Sequence, residues 1–356
     1  MRARAAVECI DLTREAGRLS AGGFWVVVGE FEGPVRAWRF ADVELDADAT
    51  SSAQTPIGDR PGMPPAVTGS GWHGPAGAAW TSSLDESAYL AGVESIREHV
   101  RLGDVYQVNL CRVMSAPLGE RDGAEPSARE LGRHLDVGNP APYAGGVHVP
   151  VASATDPVWV VTSSPELFLR VQDGIVTSGP IKGTATTAEG LTAKDRAENV
   201  MIADMVRNDL QRVCRPGTVE VTELLAVEHH PGLVHLVTTV QGQLLDARPD
   251  WPALLEATYP PASVSGAPKH AAVGVIGRLE PVPRGPYCGA VGWIDADHGR
   301  AEIAVGIRTF WWTPDGGGTL RFGTGAGVTW GSDPAAEWAE TQLKAHRLVA
   351  LASGPA

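Results

Sequence analysis

GTGAGVTWGSDPAAEWAETQLKA, residues 323–345, is the most informative part of this sequence. Its glycine-rich opening, residues 322–327, predicts a turn whose backbone N–H groups can approach a carboxylate or a phosphate closely. A helix is predicted to begin after this turn, because Asp333 is a favoured N-cap residue and Pro334 is favoured at the first helical position. Glycine-rich turns and capped helices are both common, so each signal is weak when taken alone.

The predicted helix carries three charged side chains at spacings that bring them together. Glu337, Glu340 and Lys344 stand at positions i, i+3 and i+7, which share one face of a helix. Such a face is most often solvated and joined by salt bridges. This one follows closely after the glycine-rich segment, and that position favours a binding role over a purely solvated face.

A second carboxylate of interest lies far upstream, in KDRAEN, residues 194–199. Glu198 belongs to a helix predicted over 195–213, where attraction to the positive end of the helix dipole would explain a carboxylate. Its functional alternative is an oxygen ligand, since Mg²⁺ is typically held by one or two protein carboxylates together with water and substrate oxygens. Glu198 and Glu340 together would meet that requirement.

Four further side chains are candidates for chemistry, and each also has an ordinary structural explanation. Lys182 lies between turn-forming residues in SGPIKGT, where a lysine is usually solvated, but a desolvated amine can attack carbon. Glu166 follows Ser-Ser-Pro and is a candidate proton donor or acceptor. Arg308 can hold a carboxylate in bidentate geometry or form a structural ion pair. His235 can shuttle a proton or be a satisfied core histidine.

The composition describes an acidic globular protein. Its 356 residues include 29 Lys or Arg and 42 Asp or Glu, which gives a formal net charge of −13. Such a surface repels phosphate backbones and anionic lipid, so neither nucleic acid nor a membrane is an expected partner. The start of the chain lacks the apolar region of a secretory signal, and no apolar run is long enough to span a bilayer. With four scattered cysteines, typical of a reducing compartment, a cytoplasmic protein is expected.

Strands and helices are predicted without strict βαβ alternation, which favours an α+β fold. Residues 46–75 are rich in Asp, Ser, Pro and Gly and predict a loop or linker. A helix is predicted to begin near Asp85. The predicted strands are Phe24–Val28, Val35–Phe40, Val105–Leu110, Val158–Thr162, Leu167–Val171, Val234–Val240, Gly289–Ile294, Ile303–Phe310 (which contains Arg308) and Thr319–Gly323.

The order of these signals along the chain resembles the chorismate-utilising enzyme family, which includes anthranilate synthase component I, aminodeoxychorismate synthase component I and the isochorismate and salicylate synthases. The resemblance implies a fold of two packed, mainly antiparallel β-sheets flanked by helices. It also implies a shortened N-terminal region at 1–85 and a chorismate-binding catalytic domain at 86–353, packed as one globular unit. The matching blocks are YQVNL (106–110), SSPELF (163–168), GPIKGT (179–184), KDRAENVMIADMVRNDLQRV (194–213), HLVTTV (235–240), SVSGAPK (263–269), YCGAVGW (287–293), IRT (307–309) and GTGAGVTWGSDPAAEWAETQLKA (323–345).

The resemblance also implies roles for individual residues. Glu198 and Glu340 match the family's Mg²⁺ ligands, and Glu337 lies beside that site. Glu166 matches the acid/base residue that helps the ring hydroxyl to leave, and His235 matches a histidine near that hydroxyl. The positions implied in substrate binding are Tyr287, Arg308, Gly325, Ala326, Gly327, Lys344, Gly266, Ala267, Thr184 and Gln107.

Two positions separate the activities of the family. The isochorismate and salicylate synthases have a water-activating lysine where this chain has Gln107, so addition of water is disfavoured. At Lys182 the aminodeoxychorismate synthases have lysine, whereas the anthranilate synthases usually have alanine. The resemblance therefore implies Mg²⁺-dependent amination of chorismate at C4 through a covalent Lys182 intermediate, giving 4-amino-4-deoxychorismate for 4-aminobenzoate and folate synthesis.

Partners and alternatives follow from the same resemblance. Ammonia is expected either free or from a separate glutamine amidotransferase subunit. The alternatives are synthesis of anthranilate or 2-amino-2-deoxyisochorismate, and a catalytically silent chorismate-binding subunit. The chain departs from the family at 185–187, where Ala-Thr-Thr replaces the usual Pro-Arg, and regulatory tryptophan-pocket motifs are not visible in 1–85. These departures leave feedback control, partner docking and oligomeric state open.

Overall fold

The structure, a computed structural model, describes residues 2–44, 71–230 and 233–354. Its strands form two antiparallel sheets with helices packed around them, so the predicted α+β fold is confirmed. Most of the predicted loop at 46–75 lies outside the described residues, and its last part, 71–75, contains no helix or strand.

The strands of the described residues range from two to eleven residues in length. They are β1 Arg2–Asp11, β2 Phe24–Gly29, β3 Val35–Glu44, β4 Thr81–Ser82, β5 Gln107–Pro117, β6 Tyr143–Val149, β7 Val158–Ser164, β8 Leu167–Gln172, β9 Ile175–Gly179, β10 Ile181–Ala185, β11 Glu220–His230, β12 Leu233–Gln243, β13 Gly266–Ala267, β14 Ala290–Asp295, β15 Arg300–Val305, β16 Thr309–Thr313 and β17 Thr319–Val328.

The helices lie between and after these strands. They are α1 Glu86–Leu102, α2 Ala128–Gly138, α3 Ala193–Gln211, α4 Trp251–Thr258, α5 Ala262–Ser265, α6 Lys269–Leu279 and α7 Pro334–Ala352. Among the residues that the structure describes, none of these helices combines the length and apolar character needed to cross a membrane.

The larger sheet has ten strands in the order β1-β3-β2-β14-β15-β8-β9-β12-β10, with β11 on β12. The smaller sheet has seven, in the order β13-β5-β17-β16-β7-β6, with β4 on β5. The main hydrophobic core takes side chains from both sheets, for example Trp25 and Val176 from the larger and Leu110 and Val160 from the smaller. The N-terminal strands are part of the larger sheet, because β2 pairs with β14 along its whole length.

The predicted helix after Asp333 is confirmed. α7 begins at Pro334, and the Asp333 side chain accepts a hydrogen bond from the backbone N–H of Ala336. α3 is also confirmed and begins with a capping box, in which Thr192 and Asp195 each accept from the other's backbone N–H. These two helices carry the carboxylates that the sequence singled out.

The predicted glycine-rich turn at 322–327 is wrong, because these residues lie in strand β17. Alternate glycines face one side of the strand, where each lies against a side chain that leaves no room for a Cβ. A Cβ on Gly323 would lie 2.0 Å from the Tyr287 ring, and one on Gly325 would lie 2.5 Å from Cys111 Sγ. Packing against neighbours, rather than a change of chain direction, is the reason for these glycines.

The predicted strand Ile303–Phe310 is also wrong as a single element. The chain leaves the larger sheet at the end of β15 and enters the smaller sheet at β16. Arg308 lies in this crossover, not within a strand, and has a positive φ of 52°. Its side chain is therefore placed where the chain passes between the two sheets.

Candidate active site

Lys182 lies in a β-bulge of β10. Ile181 pairs with Val237 and Thr184 with His235, so one extra residue is accommodated between these two pairs. Gly183 supplies the positive φ of 87° that the bulge needs, and a Cβ there would lie 2.8 Å from Cβ of Asp195. The bulge thus places Lys182 beside the first turn of α3.

The amine of Lys182 lies next to β17 and β5 of the smaller sheet. A Cβ on Gly327 would lie 3.4 Å from Lys182 Nζ and 2.4 Å from Gln107 Nε2, so only glycine leaves space for both groups. Gln107 is fully buried, and neither atom of its amide has a hydrogen-bond partner among the described residues. A buried amide without partners carries a desolvation cost, which a bound ligand or water would relieve.

Burial lowers the pKa of Lys182. Glu198, Glu166 and Glu340 act in the opposite direction, while the positive charge of Lys344 adds to the lowering. The side chain keeps partial access to solvent, yet enough protein surrounds the amine to disfavour its charged form. The neutral amine, which is the nucleophilic form, is thereby favoured.

Glu166 lies between β7 and β8 and is almost completely buried. Burial raises the pKa of its carboxyl to about 7, although a hydrogen bond from Ser263 and the charge of Lys182 lower it. The backbone N–H of Ile181 also donates to this carboxyl, which ties Glu166 to the strand that carries Lys182. A carboxyl with this pKa can both donate and accept a proton near neutral pH.

Carboxylates from α3 and α7 face one another close to Lys182. Lys194 Nζ lies 3.7 Å from Glu198 Oε1 and 3.4 Å from Glu337 Oε1, and Lys344 Nζ lies 2.6 Å from Glu340 Oε1. Burial raises the pKa of Glu198. For Glu340 burial is the largest single effect and acts in the same direction, but Lys344, Lys182 and Lys194 together outweigh it and the pKa is lowered.

The described residues contain no group of three His, Cys, Asp or Glu side chains already placed to hold a metal ion. The predicted ligands Glu198, Glu337 and Glu340 are instead paired with lysines. Their chemistry nevertheless fits Mg²⁺, because they offer hard carboxylate oxygens and Glu198 Oε1 is buried without a hydrogen-bond donor.

The structure describes contacts of the other predicted residues. Arg308 Nη2 lies 3.5 Å from His235 Nε2, and burial lowers the pKa of Arg308. The carbonyl of Gly325 accepts a hydrogen bond from Lys344 Nζ, 3.1 Å away. Strand β13, formed by Gly266–Ala267, pairs with β5 at Gln107.

Three predicted positions are less directly connected to the cluster. The hydroxyl of Tyr287 lies 3.9 Å from Cys111 Sγ, so its described contact is with a core thiol. Ala326 is buried and lies between glycines that face the opposite side of β17, so only its backbone borders the site. The side chain of Thr184 lies outside the described part of the chain, although its backbone pairs with His235.

Sequence reasoning missed two residues of this cluster, Lys194 and Ser263. The spacing of four residues between Lys194 and Glu198 is typical of an ion pair on one helix face and could have indicated the first. No local pattern indicates Ser263, which meets Glu166 only through tertiary packing.

Residues 70–350 match a protein-family model described as chorismate binding enzyme. The chain belongs to this family. Anthranilate synthase component 1 of Streptomyces coelicolor is 37% identical over 306 residues, which cover 81% of this chain and 55% of the relative. Aminodeoxychorismate synthase component 1 of Klebsiella aerogenes is 34% identical over 285 residues, which cover 76% and 59%. This chain thus spans little more than half the length of these curated relatives.

Solved structures of the family share the fold. Anthranilate synthase component I from Streptococcus pneumoniae superimposes with a TM-score of 0.75 at 24% identity, covering 98% of this chain and 91% of that one. The menaquinone-specific isochorismate synthase MenF from Escherichia coli gives a TM-score of 0.72 at 20% identity, covering 99% and 85%. The predicted anthranilate synthase component I-like fold is confirmed.

Proposed function

We propose that this chain is an aminodeoxychorismate synthase component I, which aminates chorismate at C4 to give 4-amino-4-deoxychorismate. The observation that carries the proposal is the position of Lys182. Its amine is held by a bulge beside Gly327 and Gln107, within range of the charges of Glu166, Glu198 and Glu340. An amine whose pKa is lowered by burial is suited to nucleophilic attack on a substrate carbon.

The reaction has two substitution steps. Lys182 Nζ forms a bond to C2 of the ring while the ring double bond shifts and the C4–O bond breaks, and the departing oxygen leaves as water after taking a proton from Glu166. Ammonia then forms a bond to C4, the double bond shifts back, and the bond between C2 and Lys182 breaks with its electron pair returning to Nζ. Glu166 recovers its proton from the new ammonium group at C4. Chorismate and ammonia thus give aminodeoxychorismate and water, and the enolpyruvyl group is retained.

The surrounding residues hold the substrate and its charges. Arg308 and the backbone of 325–327 would bind the enolpyruvyl carboxylate through charge-assisted hydrogen bonds. Lys344 bridges Gly325 and Glu340, and would keep the strand and the helix in register around the ligand. His235, beside Arg308, would contact the C4 hydroxyl before it leaves.

Glu198 and Glu340, with Glu337 beside them, would hold Mg²⁺. When bound, the cation would neutralise the ring carboxylate of chorismate, which lets an acidic protein bind a dianion. Ammonia would come from solution or from a separate glutaminase subunit. We place the activity in the cytoplasm, because all four cysteines are free thiols.

Product analysis tests this function. Chorismate, Mg²⁺ and ammonium are incubated with the protein, and the products are separated and identified by mass spectrometry. We expect a product with the mass of aminodeoxychorismate, and loss of several orders of magnitude in its formation for Lys182→Ala, since the variant lacks the covalent step. Fluorescent anthranilate from the native protein, or unchanged turnover of Lys182→Ala, would contradict the proposal. Chorismate binding without turnover would support the silent subunit instead.

Anthranilate synthesis is the second candidate, because the anthranilate synthase component 1 of Saccharolobus solfataricus is 38% identical over 286 residues, covering 76% of this chain and 63% of the relative. Overall identity reports shared ancestry of the whole scaffold, whereas the amine at position 182 acts on the reacting atoms. We therefore give Lys182 more weight, and the same product analysis distinguishes the two.

A further inference from the structure

Lys194 lies between two of the three carboxylates that the proposed function places around the metal, Glu198 and Glu337. Its ammonium is 3.4 Å from Glu337 Oε1 and 3.7 Å from Glu198 Oε1, so it bridges α3 and α7. The proposed reaction does not use this lysine. Its charge lies where a cation would meet both carboxylates.

The three side chains differ in how freely they can move. The side chain of Glu337 is only 5% exposed and that of Glu198 is 15% exposed, whereas that of Lys194 is 50% exposed. Two buried carboxylates side by side repel each other and need a positive counter-charge. A half-exposed lysine on a flexible stem can supply that charge and can also swing out into solvent.

The arrangement of the carboxylates agrees with this interpretation. Within the described residues no three acidic, histidine or cysteine side chains converge as metal ligands, and Glu198 Oε1 is buried without a hydrogen bond. With Lys194 in place, the carboxylates are oriented toward an ammonium group. Without that group, both carboxylates would still face the space between them, which favours a positive charge.

We propose that Lys194 is a positioning residue that acts as a resident counter-cation. It pairs with Glu198 and Glu337 in the metal-free protein and is displaced when a divalent cation binds, so that it weakens and thereby sets the affinity for the metal. This inference rests on the metal site of the proposed function. It assigns to Lys194 competition with the cation, and no contact with reacting atoms.

Metal binding in the absence of chorismate tests the inference. The full chain is titrated with Mn²⁺ as the probe at low ionic strength, and free Mn²⁺ is followed by electron paramagnetic resonance. We expect Lys194→Met to bind Mn²⁺ about tenfold more tightly than the native protein, since a competing charge close to the ligands is removed. Lys194→Arg, which retains the charge, should bind with nearly native affinity.

Arg207→Met is the matched control. It removes one positive charge from the same helix, where Arg207 pairs with Asp204 at 2.8 Å and is 48% exposed. It should leave the affinity for Mn²⁺ unchanged, because its charge is remote from Glu198 and Glu337. Circular dichroism and thermal unfolding with and without Mn²⁺ verify that each variant folds, and the increase in Tm on adding Mn²⁺ should be larger for Lys194→Met.

Two results would overturn the inference in different ways. Equal or weaker Mn²⁺ binding by Lys194→Met, with native binding intact, would reject Lys194 as a competitor and leave the metal site standing. Failure of the native protein to bind Mn²⁺ at millimolar concentrations would reject the metal site, and with it the competition.

Discussion

Burial shifts the pKa values of Glu166 and Lys182 in opposite directions, and both shifts favour the neutral form. The two shifts therefore favour a protonated acid and an uncharged amine next to each other. These are the forms that proton donation to a leaving hydroxyl and attack on a ring carbon require. At the scale of single residues, desolvation favours both of these neutral forms.

Glu166 should make the stability of the protein depend on pH. Its folded pKa, about 7, lies above the ordinary value of 4.5, so its contribution is present below pH 4.5 and is lost as the pH rises through 7. We expect Glu166→Gln to remove this loss, worth on the order of 3 kcal/mol by pH 8. Urea unfolding of both proteins at pH 5 and pH 8 measures it. An identical pH dependence in the two would show that burial of Glu166 is compensated elsewhere.

Gly327→Ala should damage catalysis more than stability. The new methyl group would lie 2.4 Å from Gln107 Nε2 and 3.4 Å from Lys182 Nζ, and the fully buried Gln107 has little room to move. We expect kcat/KM to fall about 100-fold, because a small displacement of a reacting group is costly. Gly331→Ala, where no atom lies within 4 Å of the added Cβ, is the control and should be nearly native. Native kinetics for Gly327→Ala would argue against a role of this space in the reaction.

Irregularities of the strands, more than their regular parts, place the site residues. The bulge in β10 carries Lys182, and the crossover between β15 and β16 carries Arg308 with its positive φ. The bulge interrupts the hydrogen bonding of the larger sheet, and such an irregularity is tolerated where neighbouring elements hold the backbone in place. At the scale of elements, α3 holds the backbone of the bulge in place.

Gly183→Ala should destabilise the bulge for two separate reasons. The residue has a φ of 87°, and its new Cβ would lie 2.8 Å from Cβ of Asp195 in the first turn of α3. We expect a loss of about 2–4 kcal/mol in the free energy of unfolding. Gly103→Ala at φ 82° has nothing within 4 Å and should cost only about 1 kcal/mol. Equal losses in the two variants, measured by urea unfolding, would exclude the contact with Asp195.

At the scale of the whole molecule, a buried arginine connects elements that are far apart in sequence. The guanidinium of Arg284 pairs with Glu280 and donates to the carbonyls of Val264 and Asn109. Glu280 in turn accepts a hydrogen bond from the backbone N–H of Cys111 in β5. The network joins α5, the end of α6 and the smaller sheet behind the site.

Arg284→Met should therefore destabilise the entire fold. It would leave Glu280 buried without its counter-charge, and removal of one partner of a buried ion pair typically costs about 3–5 kcal/mol. The surface pair of Arg101 and Glu98 offers a control, and Arg101→Met should leave the stability nearly unchanged. Thermal and urea unfolding of both variants measure the difference. A similar, small effect for Arg284→Met would mean that packing alone joins these elements.

Features that depend on near neighbours along the chain could be predicted from the amino-acid sequence. Caps and helical periodicity predicted α7 after Asp333 and α3 around Glu198, and the order of short blocks identified the family and its fold. Each of these signals depends on residues that are close together in the chain, so it can be recognised in the sequence. The specific roles of Glu166 and Lys182 in the reaction came from the resemblance rather than from spacing.

The places where glycines and charges of distant segments meet are set by how the chain packs in three dimensions. Residues 322–327 were expected to form a turn, but they form a strand. The glycines of this strand leave space for Tyr287, Cys111 and Gln107. Lys194 became part of the site through Glu337, which lies 143 residues later in the chain. Steric exclusion and charge pairing act through space, and the sequence records neither which surfaces come into contact nor how closely.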